Sequence, residues 1–524
     1  MKFIQGQNRS QIQLFSLTLD DAIEPANEAR LIDAFVSHLN LEDLGFDMQA
    51  GENGRPCYHP GDLLRLFIYG YLNRIRSSRS LEKECKRNIE LMWLLRQLKP
   101  DHNTIANFRR DNPKAIRRVF KETVRVAQYF NLIGGQLLAG DSTKLRAQNS
   151  KKNNFNQKKI DRHLQYIENK LDGYNQAMAK EDVDSPEQKE LQGEIKKQEQ
   201  RKEKYHKLEA ELKETGEKQV STSDPESRQM IIRNNITEVA YNVQTTVDAK
   251  HKLPIDYDVT NANDSKAMGR MLTRAVDIVG HNSFTALYDK GYHTGSEFAT
   301  AARLGVDVMV AIPALPKNSQ APDPAYNLEH FRYNLQQHTY TCPMGQTLTT
   351  NGRWHKGKRG GDFQQFRTRA CKGCPARTRC TRAKVNGRII SHHAANVHVV
   401  ANKERISANP SLYKLRQTIV EHPYGTIKRQ WGFDHVMTKK SMGRASADVG
   451  LIMTAYNLRR LINILGIAKL ICVLSPLFSL IETQNAMRNA IISIMLHFNE
   501  IGLKQYSVFY SRKLNLLLNN NMAA

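Results

Sequence analysis

A mixed α/β chain of several domains is what this sequence predicts: an all-helical basic segment first, then a sheet-containing one. Three observations predict it. The chain has 524 residues, beyond the roughly 250–300 at which one hydrophobic core stops growing. Apolar residues recur at helical spacing before about residue 130, and short strand-like runs alternate with helical ones after it. The charge is large and uneven: 77 Lys and Arg against 52 Asp and Glu leave +25. A surplus of that size repels itself unless a polyanion shares the surface, so nucleic acid or an anionic membrane is the expected partner. Hydrophobic content of 40 %, with 3 Trp, 19 Tyr and 18 Phe, is enough for sizeable cores and excludes a wholly disordered chain.

Taken in order, residues 1–60 carry 9 acids and 4 bases, and are not expected to touch phosphate. From Arg65 to Arg118 the balance reverses to 14 bases and 5 acids. Leu63, Leu64, Phe67, Ile68, Tyr71 and Leu72, then Leu91, Leu94, Leu95 and Leu98, fall at helical spacing. The run Pro100-Asp101-His102-Asn103-Thr104 offers breakers and N-cap residues before Ile105, Phe108, Arg109 and Arg110. Residues 1–130 therefore read as a helical domain. It is compatible with a helix-turn-helix reader of DNA, Arg109 and Arg110 being candidate contacts, or with a solvated basic face on a helical cap.

Residues 131–466 read as the α/β domain. Gln136 to Asp141 is a short apolar strand ending on an acid. From about Asn153 to Lys218, Ile160, Leu164, Ile167 and Leu171, then Leu191, Ile195, Gln198, Tyr205, Leu208 and Leu212, keep 3–4 spacing, broken at Asp182 to Pro186. This predicts a coiled helical hairpin inserted at 151–220. Strands follow at 241–248 and 253–260, a helix at 265–279, a strand at 283–289 closing on Asp289, a helix at 295–304 and a strand at 306–312. Three strands, helix, strand, helix, strand is the order of a ribonuclease-H-like core, here with the hairpin between its first and second strands. A basic Cys-bearing insertion spans 315–410, and 467–524 is expected to be a mostly helical tail.

The acids carry the chemistry. Asp141 and Asp289 each close a strand, where open α/β sheets gather their ligand and catalytic groups. Glu421 lies in Val420-Glu421-His422-Pro423-Tyr424-Gly425-Thr426-Ile427-Lys428-Arg429. Three carboxylates are a donor set for two hard divalent ions that clamp the attacking and leaving oxygens at a phosphodiester. Each acid alone also has an ordinary reading, as a turn or helix cap for the aspartates and as a surface helix residue for Glu421. If 421–428 is helical, residues seven apart share a face, and Lys428 points where Glu421 points. From Lys414 to Arg444 there are 7 bases and 2 acids, a surface for phosphate, with Tyr424 and Trp431 available for base stacking or simply core.

The stretches Ala139-Gly140-Asp141-Ser142-Thr143-Lys144, Tyr241-Asn242-Val243-Gln244-Thr245, Asp289-Lys290-Gly291-Tyr292 and Val420 to Lys428 resemble bacterial insertion-sequence transposases of the DDE type. The resemblance runs from about Tyr58 to Gly466, with its blocks in order, and Tyr58-His59-Pro60 through Thr104 to Arg109 resembles their helical N-terminal domain. It implies Asp141, Asp289 and Glu421 as the catalytic, metal-binding triad. It also implies a Tyr-Arg-Glu-Lys signature onto which Tyr413, Arg416, Glu421 and Lys428 map; Tyr413, Arg416 and Lys428, with Arg429 of the same basic segment, are the candidate DNA contacts there. Four residues separate Arg416 from Glu421 where the usual pattern has three, while six separate Glu421 from Lys428 as expected. The implied cofactor is Mg²⁺, two ions, with Mn²⁺ able to substitute. The implied partners are double-stranded DNA at element ends and target, and a second copy of the chain in the DNA complex. A nuclease on the same core without strand transfer, or a non-catalytic DNA-binding relative, shares these features.

Four of the 7 Cys cluster, at Cys342, Cys371, Cys374 and Cys380. A C-x₂-C pair with two further thiols predicts a structural Zn²⁺ site, with His355, His392 or His393 as substitute ligands, or else thiols packed as small hydrophobes. From Cys342 to Lys384 there are 11 bases and one acid, Asp362, so this insertion is expected to hold DNA backbone. Cys57, Cys85 and Cys472 stand apart. So few cysteines fit a reducing cytoplasm, the start of the chain predicts no signal peptide, and Lys469 and Pro476 argue against a membrane span in 461–481.

Overall fold

The computed structural model describes residues 18–49, 56–180, 186–233, 236–314, 320–357 and 361–475. They fall into two compact units, one within Met1–Ile105 and Leu461–Ala524, the other Ala106–Arg460. The start of the chain, where no signal peptide is expected, and most of the 467–524 tail lie outside the described residues.

The first unit is helical. Its helices are α1 (Glu28–His38), α2 (Pro60–Leu72), α3 (Ser78–Glu84), α4 (Ile89–Leu94), the start of α5 (His102–Asp111), and, from the far end of the chain, α15 (Ile467–Leu474). Caps set the starts: Asn27 accepts from Ala29 N, His59 from Gly61 N ahead of Pro60, and Asn88 from Glu90 N. Leu31, Phe35, Leu64, Phe67, Tyr71 and Leu91 form its buried side. The acidic start and the basic segment are not independent. Asp33 binds the buried Arg65 Nε at 2.7 Å, and Asp20 accepts from Trp93 Nε1 at 2.9 Å.

The unit boundary falls at 105/106, upstream of the expected 130, because α6 (Pro113–Tyr129) packs into the sheet-bearing unit. Phe120 meets Tyr257 edge-on at 5.1 Å, and Thr123 Oγ1 accepts from Asn457. The sheet there consists of β1 (Leu137–Arg146), β4 (Arg228–Arg233), β5 (Ile236–Asp248), β6 (Pro254–Thr260), β7 (Thr285–Tyr288) and β8 (Asp307–Val310). β5 is antiparallel to β1, while β7 and β8 continue parallel from β1. β6 and β4 both pair with β5 on its other edge, β6 along 242–247 and β4 along 236–240. The order across the sheet is thus β6, β5, β1, β7, β8, with α9 (Met268–Val279) after β6 and α10 (Gly295–Leu304) after β7.

Two strands differ from expectation. β1 does not end at Asp141 but runs five residues further, because β5 keeps pairing with it to Arg146. β4 was not anticipated; it forms a hairpin with the start of β5, whose 13 residues begin earlier than the apolar pattern suggests. The expected hairpin insertion is two helices, α7 (Gln157–Met178) and α8 (Pro186–Thr215), closed at their base by β2 (Asn154–Phe155) and β3 (Val220–Ser221). Ile160 and Leu164 near the start of α7 pack with Leu208 and Leu212 near the end of α8, so the helices run antiparallel.

After β8 come two small antiparallel sheets. One joins β9 (Arg332–Asn334), β10 (Thr339–Thr341) and β11 (Thr347–Leu348); the other joins β12 (Trp354–His355), β13 (Phe363–Phe366) and β14 (Ile390–His393). Phe331, Tyr340, Leu348, Phe366 and Ile390 make their core, and the single turn α11 (Arg377–Cys380) lies before β14. α12 (Asn396–Ala408) then returns to the main sheet. Asn402, fully buried, donates to Val310 O and accepts from Val310 N, while Arg405 Nε donates to Val308 O. These side chains satisfy edge groups of β8 that would otherwise stand unpaired. α13 (Pro410–Tyr424) and α14 (Met442–Leu465) complete the helices. No helix among the described residues is long and apolar enough to cross a membrane.

Candidate active site

Asp141 and Asp289 stand side by side because of strand register. β1 and β7 pair in parallel up to Ala139 opposite Leu287, and just past the end of that pairing Asp141 and Asp289 come near enough for their charges to interact. Neighbouring strands are about 4.8 Å apart, and side chains two apart share a face. That face is the one on which Ala139, Leu287, Val247 and Met309 pack with Ile419 and Val420 of α13. Close approach needs a missing side chain: a Cβ on Gly140 would lie 1.9 Å from the Tyr288 ring. β7 ends at Tyr288, and Asp289 caps the following turn by accepting from Gly291 N at 2.8 Å.

α13 supplies the cation. Arg416 Nη1 is 3.3 Å from Asp141 Oδ2, and three residues earlier Tyr413 donates to Tyr288 O at 2.9 Å. One turn past Val420, Tyr424 donates to Asp141 O at 3.1 Å and meets Thr245 Oγ1 at 2.6 Å. Tyr424 is thereby part of the floor of the site and not a free stacking platform. Trp431 and Phe433 are buried against each other, which gives them the core role.

A third acid sits here that sequence reasoning passed over. Asp264 follows β6 and accepts from Asn242 Nδ2 at 2.7 Å, Gln244 Nε2 at 2.8 Å and Lys144 Nζ at 3.2 Å. A Cβ on Gly291 would lie 3.0 Å from Asp289 Oδ1 and 3.4 Å from Asp264 Oδ2, which places the two acids around one glycine. Gln244 also holds the Tyr292 hydroxyl. The only sequence signal was the polar pair Asn242 and Gln244 on one face of an otherwise apolar strand.

Glu421 is not brought to the pair. It is exposed on α13 and accepts from Gln417 at 2.8 Å. Nor does Lys428 point where Glu421 points. The α-helix passes after Pro423 and Tyr424 into a π-helical turn, Gly425–Gln430. The wider turn shifts the following residues around the axis, and Lys428 Nζ instead donates to Thr143 Oγ1 at 3.1 Å and Lys144 O at 3.2 Å. Arg429 is exposed. Arg109, expected at DNA, is 4 % exposed and pairs with buried Asp448 at 3.4 Å, so it ties α5 to α14 and is closed off from phosphate. Arg110 is exposed and pairs with Asp111.

The electrostatics follow from this packing. Burial raises the Asp141 carboxyl to about 6; Arg416 opposes the rise, and Asp289 and Asp264 add to it. Burial works in the same direction on Asp264, but Lys144 and the hydrogen bonds from Asn242, Ser142 and Gln244 outweigh it and hold its carboxyl low. Burial lowers the Lys428 ammonium, with Asp434 opposing and Lys144 and Arg146 reinforcing. A carboxylate pressed this way by desolvation and by two like charges is one that a bound cation would stabilise. The donor set, carboxylate oxygens throughout, suits a hard divalent ion. Among the described residues no three His, Cys, Asp or Glu side chains already stand where one ion would touch them all.

Two family profiles match the chain. One, described as Transposase domain (DUF772), covers residues 17–111, and one described as Transposase DDE domain covers residues 341–462. The second contains Tyr413, Arg416, Glu421 and Lys428 together with the four clustered cysteines. No curated protein and no solved structure matches.

Proposed function

We propose that the chain is an insertion-sequence transposase, a reading supported by its matches to two transposase profiles, and that it cuts DNA at the element's ends and joins the freed ends to a target. The observation that carries the reading is the side-by-side placement of Asp141 and Asp289 at the end of β7, under a helix that delivers Arg416. The sheet order, with the second strand antiparallel and the others parallel around the first, supports a ribonuclease-H-like core.

In this reading Asp141 and Asp289 hold Mg²⁺ or Mn²⁺, which when bound activates water or a 3′-hydroxyl and stabilises the leaving oxygen. The chain's own residues do the rest. Arg416 neutralises part of the acid charge and lies where a scissile phosphate would gain a hydrogen-bonding cation. Tyr413 and Tyr424 fix α13 to the ends of β7 and β1, so the acids and Arg416 keep one geometry. The exposed bases of 342–384 and Arg429 hold backbone. Glu421, the third carboxylate that the resemblance implies, would join the two aspartates only by leaving Gln417 and turning toward them. Asp264 favours a second reading of that place, since it already lies beside Asp289 and Lys144. DNA is the partner in both, with two copies of the chain bridging two ends, in the cytoplasm.

The test is incubation of the purified protein and Mg²⁺ with DNA bearing the element's ends, scored for cut and for joined products. Asp141→Asn and Asp289→Asn are expected to abolish both while DNA binding persists. Cutting that survives in either variant would remove the proposed site. Cutting without joining would make the protein a nuclease on this core.

A further inference from the structure

Away from the acids, the insertion between β8 and α12 brings four thiols to one place. Cys342, Cys371, Cys374 and Cys380 line a single pocket of about 20 Å³, and none of them is in a disulfide. They come from two separate turns. Cys342 follows β10 in a tight turn: Gly345 N donates to its carbonyl at 2.9 Å, Gly345 takes φ of 75°, and Gln346 N donates to Cys342 Sγ at 3.3 Å. Cys371 and Cys374 flank Gly373, and Cys380 ends α11.

Three further features suit a charged centre there. Arg377 and Arg388 line the same cavity, and Arg388 Nε is buried without a hydrogen-bond partner. Arg377 also donates to Lys384 O and Val385 O, pinning the loop that leads to Gly387. Gly387 lies against Cys371, where a Cβ would come within 2.2 Å of Cys371 Cβ and 2.9 Å of its sulfur. None of the three candidate histidines lines the cavity: His392 bonds Tyr340, and His355 and His393 pack on Phe363.

We propose that Cys342, Cys371, Cys374 and Cys380 bind one structural Zn²⁺ as thiolates, with Arg377 and Arg388 offsetting the net charge of the centre. Four sulfur donors with no open position favour zinc over the hard ions suited to the carboxylate site. As placed, no three of the sulfurs are near enough to share an ion, so binding draws the two turns inward across the cavity. The ion then does for this small module what its modest apolar core does incompletely, locking the turns that carry its basic residues.

The test uses the full chain, purified in zinc without chelator. Metal analysis is expected to find about one zinc per chain, falling severalfold in Cys342→Ser and Cys371→Ser and unchanged in Cys57→Ser. Alkylation mapped by mass spectrometry is expected to spare these four thiols until a chelator is added. Cobalt exchanged for zinc should show intense thiolate-to-metal absorption. Wild-type protein without stoichiometric metal, or with all four thiols equally reactive before and after chelation, overturns the proposal. So does a disulfide between any two of them. If the Ser variants fail to fold, metal content and alkylation of the wild type still decide. These readouts need no DNA, so the zinc centre and the transposase reading fail separately.

Discussion

Asp264 shows how a single residue can matter without being visible in sequence. Its carboxylate holds Lys144 and is held by Asn242 and Gln244, and it lies beside Asp289. Asp264→Asn keeps the shape but removes the charge that Lys144 faces. If Asp264 only positions its neighbours, cutting is expected to fall about 10–100-fold, the usual effect of losing an outer partner of a metal site. If it is the third carboxylate, Asp264→Asn abolishes cutting and Glu421→Gln is the mild variant; single-turnover cleavage ranks the two. Gly140 is constrained by space alone. Gly140→Ala forces a methyl into the Tyr288 ring, an overpacking expected to cost about 1–3 kcal/mol or more, read from the urea midpoint. Asp141 and Asp289 stand out in the sequence because each acid follows a short apolar run. Asp264 does not, because its meaning comes from residues that precede it by about twenty positions and reach it only through β5 and β6.

Among the elements, α12 has the plainest task. Asn402→Leu would leave the buried N–H and C=O of Val310 without partners, at about 1–3 kcal/mol for each group. A lower melting temperature and faster hydrogen exchange at Val310 are expected; unchanged exchange would mean that β8 is sealed by something else. The inserted hairpin offers a pH test. Burial lowers the His163 imidazole, and Lys159, Arg201 and Arg162 lower it further, while the ring stacks on Tyr205 at 4.9 Å. A histidine lowered on folding favours the folded form above its ordinary pKa, and that contribution is lost as pH falls. Hydrogen exchange in α7 should therefore quicken below about pH 6, and His163→Phe should remove the dependence. The hairpin was readable from its 3–4 spacing over some sixty residues. The π-turn after Pro423 was not, since a helix that widens keeps the same residue types and changes only where they point. This is why Lys428 was expected beside Glu421 and is found on Thr143.

For the whole molecule, charge is the large-scale variable. The surplus of +25 is concentrated in segments that include 342–384, where Arg353, Arg367 and Arg369 are exposed. If this module holds DNA, binding weakens steeply with salt, and each lost phosphate contact reduces the slope of log K against log salt by about 0.9. Replacing the three arginines by Gln should flatten the slope accordingly, as measured by fluorescence anisotropy; an unchanged slope would put the DNA elsewhere. Chain-wide composition points to a polyanionic partner but not to the unit boundary, because α6 reads like the basic helices before it and differs only in what it packs against. The pairing of Asn402 with Val310 has one more consequence. It fastens together two points 92 residues apart, so the entire insertion between them leaves and re-enters the core at the same spot. Such a segment can lengthen, shorten or be exchanged over evolutionary time without moving the strands beneath it. A chain in which a short linker replaces 314–394 should accordingly still fold around Asp141 and Asp289.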